Sequence, residues 1–284
     1  MQDLKDRVAV VTGGGSGIGA ALARALAARA MDVVVADVEM AGAEQVADEV
    51  RAAGRRGLAV QVDVSRRESV EALAERCYRE LGGCHLLCNN AGVFVVGPIQ
   101  NRSAADWEWV LGVNLWGVVH GLTAFLPRML AEPGEKHIVN TASIAGLIAT
   151  PGIGIYAASK YAVVGLSEHL RLDLAKHGIG VSVLCPGGVV TQIMRSERNR
   201  PAALAGAPAV SEAGLQQMSA AASRRDDEMQ PPEAIAAAVI DGVRANDAYI
   251  LTHPHYRRLV EKRCAELMRG FDRADARTMP GGPR

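Results

Sequence analysis

The start of the chain constrains the fold more than any other feature of the sequence. An apolar run from Val8 to Val11 predicts a buried strand, and a glycine-rich turn from Thr12 to Gly19 follows it at once. An Ala- and Leu-rich helix then reaches about Ala30, and a second apolar run begins at Val33 and ends on Asp37. A strand, a glycine turn, a helix and a strand with an acidic end form the context of a dinucleotide-binding unit.

The glycine turn gives the backbone the freedom that such a unit needs. Glycines let the backbone bend and approach a pyrophosphate, and unpaired N–H groups at the start of the helix stabilise its charge. The spacing is Gly-x-x-x-Gly-x-Gly. The residues predicted to contact the dinucleotide here are Gly13, Ser16, Gly17, Ile18 and Gly19.

Asp37 favours one form of the cofactor. Its carboxylate can accept both ribose hydroxyls of an adenosine, whereas a 2′-phosphate would face a like charge. Positions 14 to 16 and 38 carry no Arg or Lys. We therefore predict that the cofactor is NAD rather than NADP.

Apolar strands and amphipathic helices continue to alternate along the chain, which implies a parallel sheet with helices on both faces and hence an α/β fold. Asp63 follows the third strand and Asn89 to Gly92 follow the fourth, so both fall on the edge where the dinucleotide is expected. Further strands are predicted at 58–62, 85–88, 137–142, 180–185 and 249–251, and helices at 40–53, 66–81 and 234–243. The expected contacts on the cofactor edge are Asp63, Val64, Asn90, Ala91 and Gly92.

Tyr156 and Lys160 are the candidate reactive pair. The stretch from Tyr156 to about His177 predicts a helix, so the two side chains lie one turn apart on one face. A phenol titrates near pH ~10, and a neighbouring ammonium would lower that pKa toward the range useful for acid–base catalysis. Ser143 follows a strand whose carboxyl end is where an open α/β sheet binds its ligands.

Two further segments complete the predicted domain. A long helix is expected from a capping-box-like start at Ser103 to about Leu130, with Asn114 in its middle, where a buried amide must find partners. The stretch from Thr191 to Pro232 is rich in Pro, Gly, Ala and Met, and a long, weakly patterned insertion of this kind is typical of a lid over a substrate. We expect one catalytic domain, residues 1–252, with the lid at 191–232.

The C-terminal stretch, residues 253–284, is predicted to form an amphipathic helix and a tail. Its apolar residues recur at intervals of three and four, so they make one stripe that should dock either on the chain's own domain or on a neighbouring subunit. The final Gly281-Gly282-Pro283 is predicted to be disordered. The stripe residues are Tyr256, Leu259, Val260, Cys264, Leu267, Met268 and Phe271.

Composition argues against several other classes of protein. Lys plus Arg equals Asp plus Glu at 31 each, so nothing in the charge balance suggests binding to nucleic acid or to an anionic membrane. No apolar run approaches ~18 residues and the start of the chain is charged, from which we expect a cytoplasmic protein. The five cysteines are scattered and the histidines do not cluster with carboxylates, so we predict no metal.

With these residues placed, the chain resembles the short-chain dehydrogenase/reductase family over about residues 7 to 252. The resemblance lies in several separate motifs that occur in order. They are Thr12 to Gly19, Asp63, Asn89 to Gly92, Asn114, Ser143, Tyr156 with Lys160, and Pro186-Gly187 followed by Thr191.

The resemblance implies a seven-stranded Rossmann sheet and reversible hydride transfer between a nicotinamide and an alcohol or carbonyl. Tyr156 would be the general acid/base, and Lys160 would lower its pKa and bind the nicotinamide ribose. Ser143 would hold the substrate oxygen, and Asn114 would position a water that relays protons toward Lys160. Thr191 would contact the nicotinamide amide, and Gly188, where a bulkier residue is common, would widen the adjacent pocket. The remaining implied cofactor contacts are Pro186, Gly187 and Val189.

The favoured function is that of an NAD-dependent dehydrogenase acting on a bulky, largely apolar secondary alcohol, in a homodimer or homotetramer as is common in the family. An NADPH-consuming ketone or oxoacyl reductase is the chemical alternative, and Asp37 disfavours it. A nucleotide-sensing protein without turnover is the alternative from another class. The intact set of Asn114, Ser143, Tyr156 and Lys160 argues against a sensor, because a sensor needs only the glycine turn and Asp37.

Overall fold

A computed structural model describes residues 1–205 and 229–278 of the chain. The chain divides into two compact units, Met1–Thr252 and His253–Arg284. Most of the predicted lid and the predicted disordered end lie outside the described residues, and both remain predictions.

The first unit is built on a seven-stranded parallel sheet in the order β3-β2-β1-β4-β5-β6-β7. This confirms the predicted doubly wound α/β fold. The order reverses between β1 and β4, which is the position where such sheets open a crevice at their carboxyl ends. The strands are β1 Val8–Thr12, β2 Asp32–Asp37, β3 Gly57–Gln61, β4 Leu86–Asn89, β5 Lys136–Thr141, β6 Ile179–Cys185 and β7 Tyr249–Leu251.

Helices cover both faces of this sheet. Successive side chains of a strand point to opposite faces, so Ala9 and Val11 of β1 pack into one hydrophobic cluster whereas Val8 and Val10 pack into the other. The first cluster contains residues of α1, α2 and α7, and the second contains residues of α3, α5 and α6. These helices are α1 Gly17–Ala27, α2 Met40–Ala52, α3 Arg67–Leu81, α4 Ala104–Leu111, α5 Gly117–Ala131, α6 Gly154–Leu174 and α7 Pro232–Ala245.

The predicted long helix from Ser103 is interrupted. Its start is a true capping box, because the Ser103 hydroxyl accepts from the Asp106 N–H while the Asp106 carboxylate accepts from the Ser103 N–H. Between α4 and α5, however, Gly112–Trp116 forms a π-helical turn, in which the Gly117 N–H bonds to the Gly112 carbonyl. A π-turn adds one residue to the helix and is often found at functional sites. Here the added turn carries Asn114.

By length and apolar composition alone, the helical stretch Ala104–Ala131 could cross a membrane. Core helices of α/β domains meet the same criterion, and Trp109, Phe125 and Met129 of this stretch are buried in the first unit.

The second unit contains α8, Arg257–Thr278. The predicted C-terminal helix is therefore present, and it begins one residue after Tyr256, the first residue of the predicted stripe. Leu259, Leu267, Met268 and Phe271 of the predicted stripe are exposed.

Candidate active site

The carboxyl ends of the central strands line one cleft of about 300 Å³. Gly19 and Asn114 are the two predicted site residues that do not line it, because both are packed behind its wall. The predicted residues that line the cleft are Gly13, Ser16, Gly17, Ile18, Asp37, Asp63, Val64, Asn90, Ala91, Gly92, Ser143, Tyr156, Lys160, Pro186, Gly187, Val189 and Thr191.

The glycine turn forms one end of the cleft and is closely packed. Gly13 has a φ of +63°, and a Cβ there would lie 2.8 Å from the Cα of Ala91. A Cβ on Gly19 would lie 2.0 Å from the Gly13 carbonyl oxygen, so this buried position also requires glycine. No side chain caps the N-terminus of α1 at Ser16, and its first turn has no acidic residue. Its N–H groups therefore suit a pyrophosphate.

Asp37 is fixed beside this turn by the backbone. Its Oδ2 accepts from the Gly15 N–H at 2.8 Å, and its Oδ1 accepts from the Glu39 N–H at 2.9 Å. Each carboxylate oxygen can accept a further hydrogen bond. The carboxylate is thus held in place at the cleft, with acceptor positions left that could receive hydroxyl groups.

Thr12 joins the glycine turn to the end of β4. Its hydroxyl accepts from the backbone N–H groups of Asn90 and Ala91 at 3.0 and 3.1 Å, and the Asn90 side chain donates to the Thr12 carbonyl at 3.0 Å. These bonds hold two predicted cofactor contacts against the glycine turn. The positioning role of Thr12 was not predicted, although its place at the end of β1 could have suggested it.

Ser143, Tyr156 and Lys160 meet at the centre of the cleft. The Ser143 hydroxyl accepts from the Ala145 N–H at 3.1 Å and donates to the Pro186 carbonyl at 3.4 Å, and it lies close enough to Tyr156 to lower the pKa of the phenol. Lys160 donates to the Thr141 carbonyl at 2.8 Å, and its Nζ lies 5.5 Å from the centroid of the Tyr156 ring. Two hydroxyls and an ammonium therefore face one volume at the carboxyl end of β5, as the sequence predicted.

Burial governs the titration of this group. It raises the pKa of Tyr156 to about 12, against a smaller lowering by the hydrogen bond with Ser143. It also lowers the pKa of Lys160 to about 8. Desolvation of the phenolate thus outweighs the stabilising contact with Ser143, and the lowering of the phenol pKa by Lys160 stays a prediction.

Asn114 lies directly behind the cleft wall and is fully buried. Its Oδ1 accepts from the Val93 N–H at 2.8 Å, and its Nδ2 donates to the Val93 carbonyl at 3.0 Å and to Ser159 Oγ at 3.1 Å. Both amide protons are thus engaged by the protein. The water-positioning role stays a prediction, and these side-chain donors are not free to perform it.

The wall opposite the glycine turn is apolar. The rings of Phe94 and Tyr156 make an edge-to-face contact with centroids 4.6 Å apart, and Phe94 N–H donates to Ser196 Oγ at 2.9 Å. The aromatic side of the cleft is therefore fixed on the turn that follows β6. The apolar residues on this side that line the cleft itself are Val93, Trp109, Val113, Ile193 and Pro201.

The space above Gly188 is filled. A Cβ at Gly188 would lie 2.6 Å from Sδ of Met229, and the two segments are joined by backbone bonds between Gly188, Val190 and Gln230. Gly188 therefore makes room for the Met229 side chain, and the expectation of a wider pocket is not met at this position.

Glu39 and Arg198 are cleft residues that sequence reasoning missed. Arg198 belongs to the turn Ile193–Asn199, and its Nε and Nη2 donate to the two Glu39 carboxylate oxygens at 2.8 and 2.9 Å. No local pattern could reveal this pair, because the tertiary fold brings the two residues together. Among the described residues, no group of three or more His, Cys, Asp and Glu side chains could hold a metal ion.

The fold and the cleft define a dinucleotide-binding α/β oxidoreductase. Residues 7–202 match the family model for short chain dehydrogenases, so the chain belongs to the short-chain dehydrogenase/reductase family and is an enzyme acting on CH–OH groups.

Relatives and solved structures agree with this assignment. The chain is 33% identical over 272 residues to a "CLA biosynthesis dehydrogenase/reductase" of Lactiplantibacillus plantarum, covering 94% of this chain and 95% of the relative. It is 34% identical over 275 residues to a "C alpha-dehydrogenase" of Sphingobium sp., covering 92% and 85%. A crystal structure of a short chain dehydrogenase/reductase from Burkholderia phymatum in complex with NAD superposes with a TM-score of 0.88 at 40% identity, covering 94% and 96%.

Proposed function

We propose that this enzyme transfers hydride between NAD and a bulky, largely apolar secondary alcohol, yielding the ketone. The main support for this proposal is that one cleft contains Ser143, Tyr156 and Lys160 at its centre, Asp37 at one end and an apolar wall at the other. A similar protein from Burkholderia phymatum binds NAD, which supports the same cofactor here. The likeness to dehydrogenases supports the reaction class.

NAD fits the residues at the glycine turn. The uncapped N-terminus of α1 and the backbone of Gly13 and Gly17 would hold the pyrophosphate, and Asp37 would hold the adenosine ribose. Bound there, its nicotinamide supplies the hydride acceptor that amino-acid side chains lack.

Protein groups then carry out the proton chemistry. Ser143 orients the substrate oxygen by a hydrogen bond, and Tyr156 accepts the hydroxyl proton during oxidation or donates it during reduction. Lys160, held by Thr141, places a positive charge beside the phenol and favours its anion when the proton is transferred. Burial of this set excludes bulk water from the reacting oxygen.

The substrate class follows from the wall around the reacting oxygen. Val93, Trp109, Val113 and Ile193 line the cleft with apolar surface, and Phe94 packs against the Tyr156 ring. The guanidinium of Arg200, which lies over the Trp109 ring, is paired with Asp106. A neutral, bulky carbon skeleton matches this environment.

Reduction of a ketone with NADPH is the second candidate, and Asp37 is the observation against it. A cytoplasmic location and a homodimer or homotetramer are further parts of the proposal.

The decisive experiment measures NAD and NADP reduction by the purified enzyme over a panel of secondary alcohols, including terpenoid, steroid and aryl alcohols. We expect kcat/KM with NAD to exceed that with NADP by at least about tenfold, since about 1.4 kcal/mol of repulsion at Asp37 suffices. Comparable values, or no turnover of any alcohol, would contradict the proposal.

A further inference from the structure

The cofactor cleft contains a positively charged side chain, Arg198, that no local sequence pattern predicted there. Two Lys or Arg side chains line the cleft among the described residues, Lys160 at its centre and Arg198 at the end that holds Asp37 and Glu39. The absence of Arg or Lys at positions 14 to 16 and 38 therefore does not leave the adenosine end without a positive charge. What Arg198 binds decides whether that charge can act on a ligand.

Arg198 is held on both sides. Its Nη1 donates to the carbonyls of Gln192 and Arg195 at 3.3 and 3.0 Å, while its Nε and Nη2 make the two-pronged pair with Glu39 at 2.8 and 2.9 Å. Among the described carboxylates, Glu39 is the one that forms a hydrogen-bonded ion pair with Arg198. A two-pronged guanidinium–carboxylate pair has the geometry that a guanidinium also uses to bind phosphate.

Glu39 is placed beside the residue expected to receive the ribose. Its backbone N–H donates to Asp37 Oδ1 at 2.9 Å, so the two carboxylate-bearing residues share one turn after β2. The charge of Asp37 also acts on Arg198 and, after Glu39, helps to raise the pKa of the guanidinium. Arg198 therefore lies within electrostatic reach of the position where a 2′-phosphate would sit.

We propose that Glu39 is a specificity-determining residue that withholds Arg198 from the 2′-phosphate of NADP by pairing with it. This inference rests on the proposed NAD-dependent function. Discrimination then has two parts, repulsion by Asp37 and sequestration of Arg198 by Glu39. When the Glu39 charge is removed, Nη1 of Arg198 still bonds to the carbonyls of its own turn. The Nε and Nη2 groups that had bound Glu39 are then available to a phosphate.

The test measures binding without turnover. Dissociation constants of NADH and NADPH are determined by fluorescence titration at low salt for the wild type, Glu39→Gln, Arg198→Gln and the double variant. Glu39→Gln should shift the ratio of affinities toward NADPH by about three- to tenfold, a modest gain because Asp37 still repels the phosphate. Arg198→Gln should shift it the other way, since an unpaired Glu39 adds a negative charge.

The double variant separates the two effects of losing Glu39. If Arg198 binds the phosphate, the gain of Glu39→Gln disappears in the double variant and also fades at high salt. The control is Glu71→Gln, which breaks the exposed Arg67–Glu71 pair on α3, outside the cleft, and should leave the ratio unchanged.

Two results would overturn the proposal. An unchanged ratio in Glu39→Gln would show that Glu39 does not control the phosphate site, and an equal gain in the double variant would show that Arg198 is not the phosphate ligand. In both cases tight NADH binding by the wild type leaves the proposed function standing. If the wild type binds neither NADH nor NADPH, both the role of Glu39 and the proposed NAD-dependent function are contradicted.

Discussion

The side-chain amide of Asn114, on the π-turn, donates to the hydroxyl of Ser159, which lies on α6 between Tyr156 and Lys160. Ser159 in turn donates to the Tyr156 carbonyl at 2.7 Å. A second link of the same kind lies two turns further along α6, where Asn140 of β5 donates to Ser167 and Ser167 donates to the Val163 carbonyl. The buried amides of Asn114 and Asn140 thus both bind serines of α6. Asn114 does so at the turn that carries Tyr156 and Lys160, whereas Asn140 does so away from that pair.

This difference gives a matched comparison of Asn114→Ala and Asn140→Ala. Both remove a fully buried amide and leave buried partners unsatisfied, so each should lower the free energy of unfolding by about 2–3 kcal/mol. Asn114→Ala should also reduce kcat by about tenfold or more, because Val93 and Ser159 hold the cleft wall and the helix turn that carries Tyr156.

Denaturant unfolding and steady-state kinetics check this prediction. Asn140→Ala should keep most of its turnover while losing similar stability. Equal losses of kcat in the two variants would mean that Asn114 acts only through general stability.

Tyr156→Phe should abolish proton transfer while preserving cofactor binding. The substitution removes the hydroxyl but keeps the ring that packs edge-to-face on Phe94, so the cleft wall should persist. Turnover should fall by ~10² or more, the usual scale for losing a general acid/base. Kinetics and NADH titration measure the two effects, and wild-type turnover in the variant would exclude Tyr156 as the acid/base.

Much of the fold could be predicted because its patterns are local. Strands such as β1 and β2 are apolar runs buried on both faces. The glycine turn after β1 marks the point where the chain leaves the sheet and enters α1. The carboxyl ends of parallel strands share one edge, so the sequence also indicated that Asp37, Ser143 and Asn90 converge. The structure places all three in one cleft.

The missed features depend on contacts that no local pattern contains. The π-turn at Gly112–Trp116 is a one-residue change in hydrogen bonding inside an otherwise helical pattern, selected by the bonds of Asn114 to Val93 and Ser159. The Arg198–Glu39 pair arises from packing of the turn after β6 against the turn after β2. The effect of burial on the pKa of Tyr156 could not be predicted for a similar reason, since the degree of burial is a tertiary property.

Deletion of the residues after Thr252 should alter assembly or substrate binding. The apolar stripe of α8 includes exposed Leu267, Met268 and Phe271, and exposed apolar surface of this kind commonly marks a docking site. Light scattering should show a shifted oligomer mass, or kinetics should show a raised KM for the alcohol. Leu267→Gln should reproduce part of the effect and Lys262→Gln, on the polar face, should not. Unchanged mass, stability and KM after the deletion would show that the stripe has no such role.

The acid sensitivity of the fold should depend on His137. This residue of β5 is fully buried, and Ser182 Oγ donates to the Asp247 carbonyl, so Nε2 of His137 donates to Ser182. Its Nδ1 has no partner and faces Gly180, where even a Cβ would lie 2.2 Å away. A second ring proton would have no acceptor, and burial lowers the pKa of His137 to about 3.

The sign of the effect follows from the two protonation states. Below pH ~6.5 the unfolded chain binds a proton at His137 that the folded chain does not, so stability should fall as pH falls from ~6.5 to ~3, by up to about 1.4 kcal/mol per pH unit from this group. Urea unfolding across that range should show a shallower slope for His137→Gln than for the wild type, whatever its absolute stability. His169→Gln, which replaces an exposed histidine of α6, is the control and should keep the wild-type slope. A His137→Gln slope equal to that of the wild type would show that this imidazole does not determine the acid sensitivity.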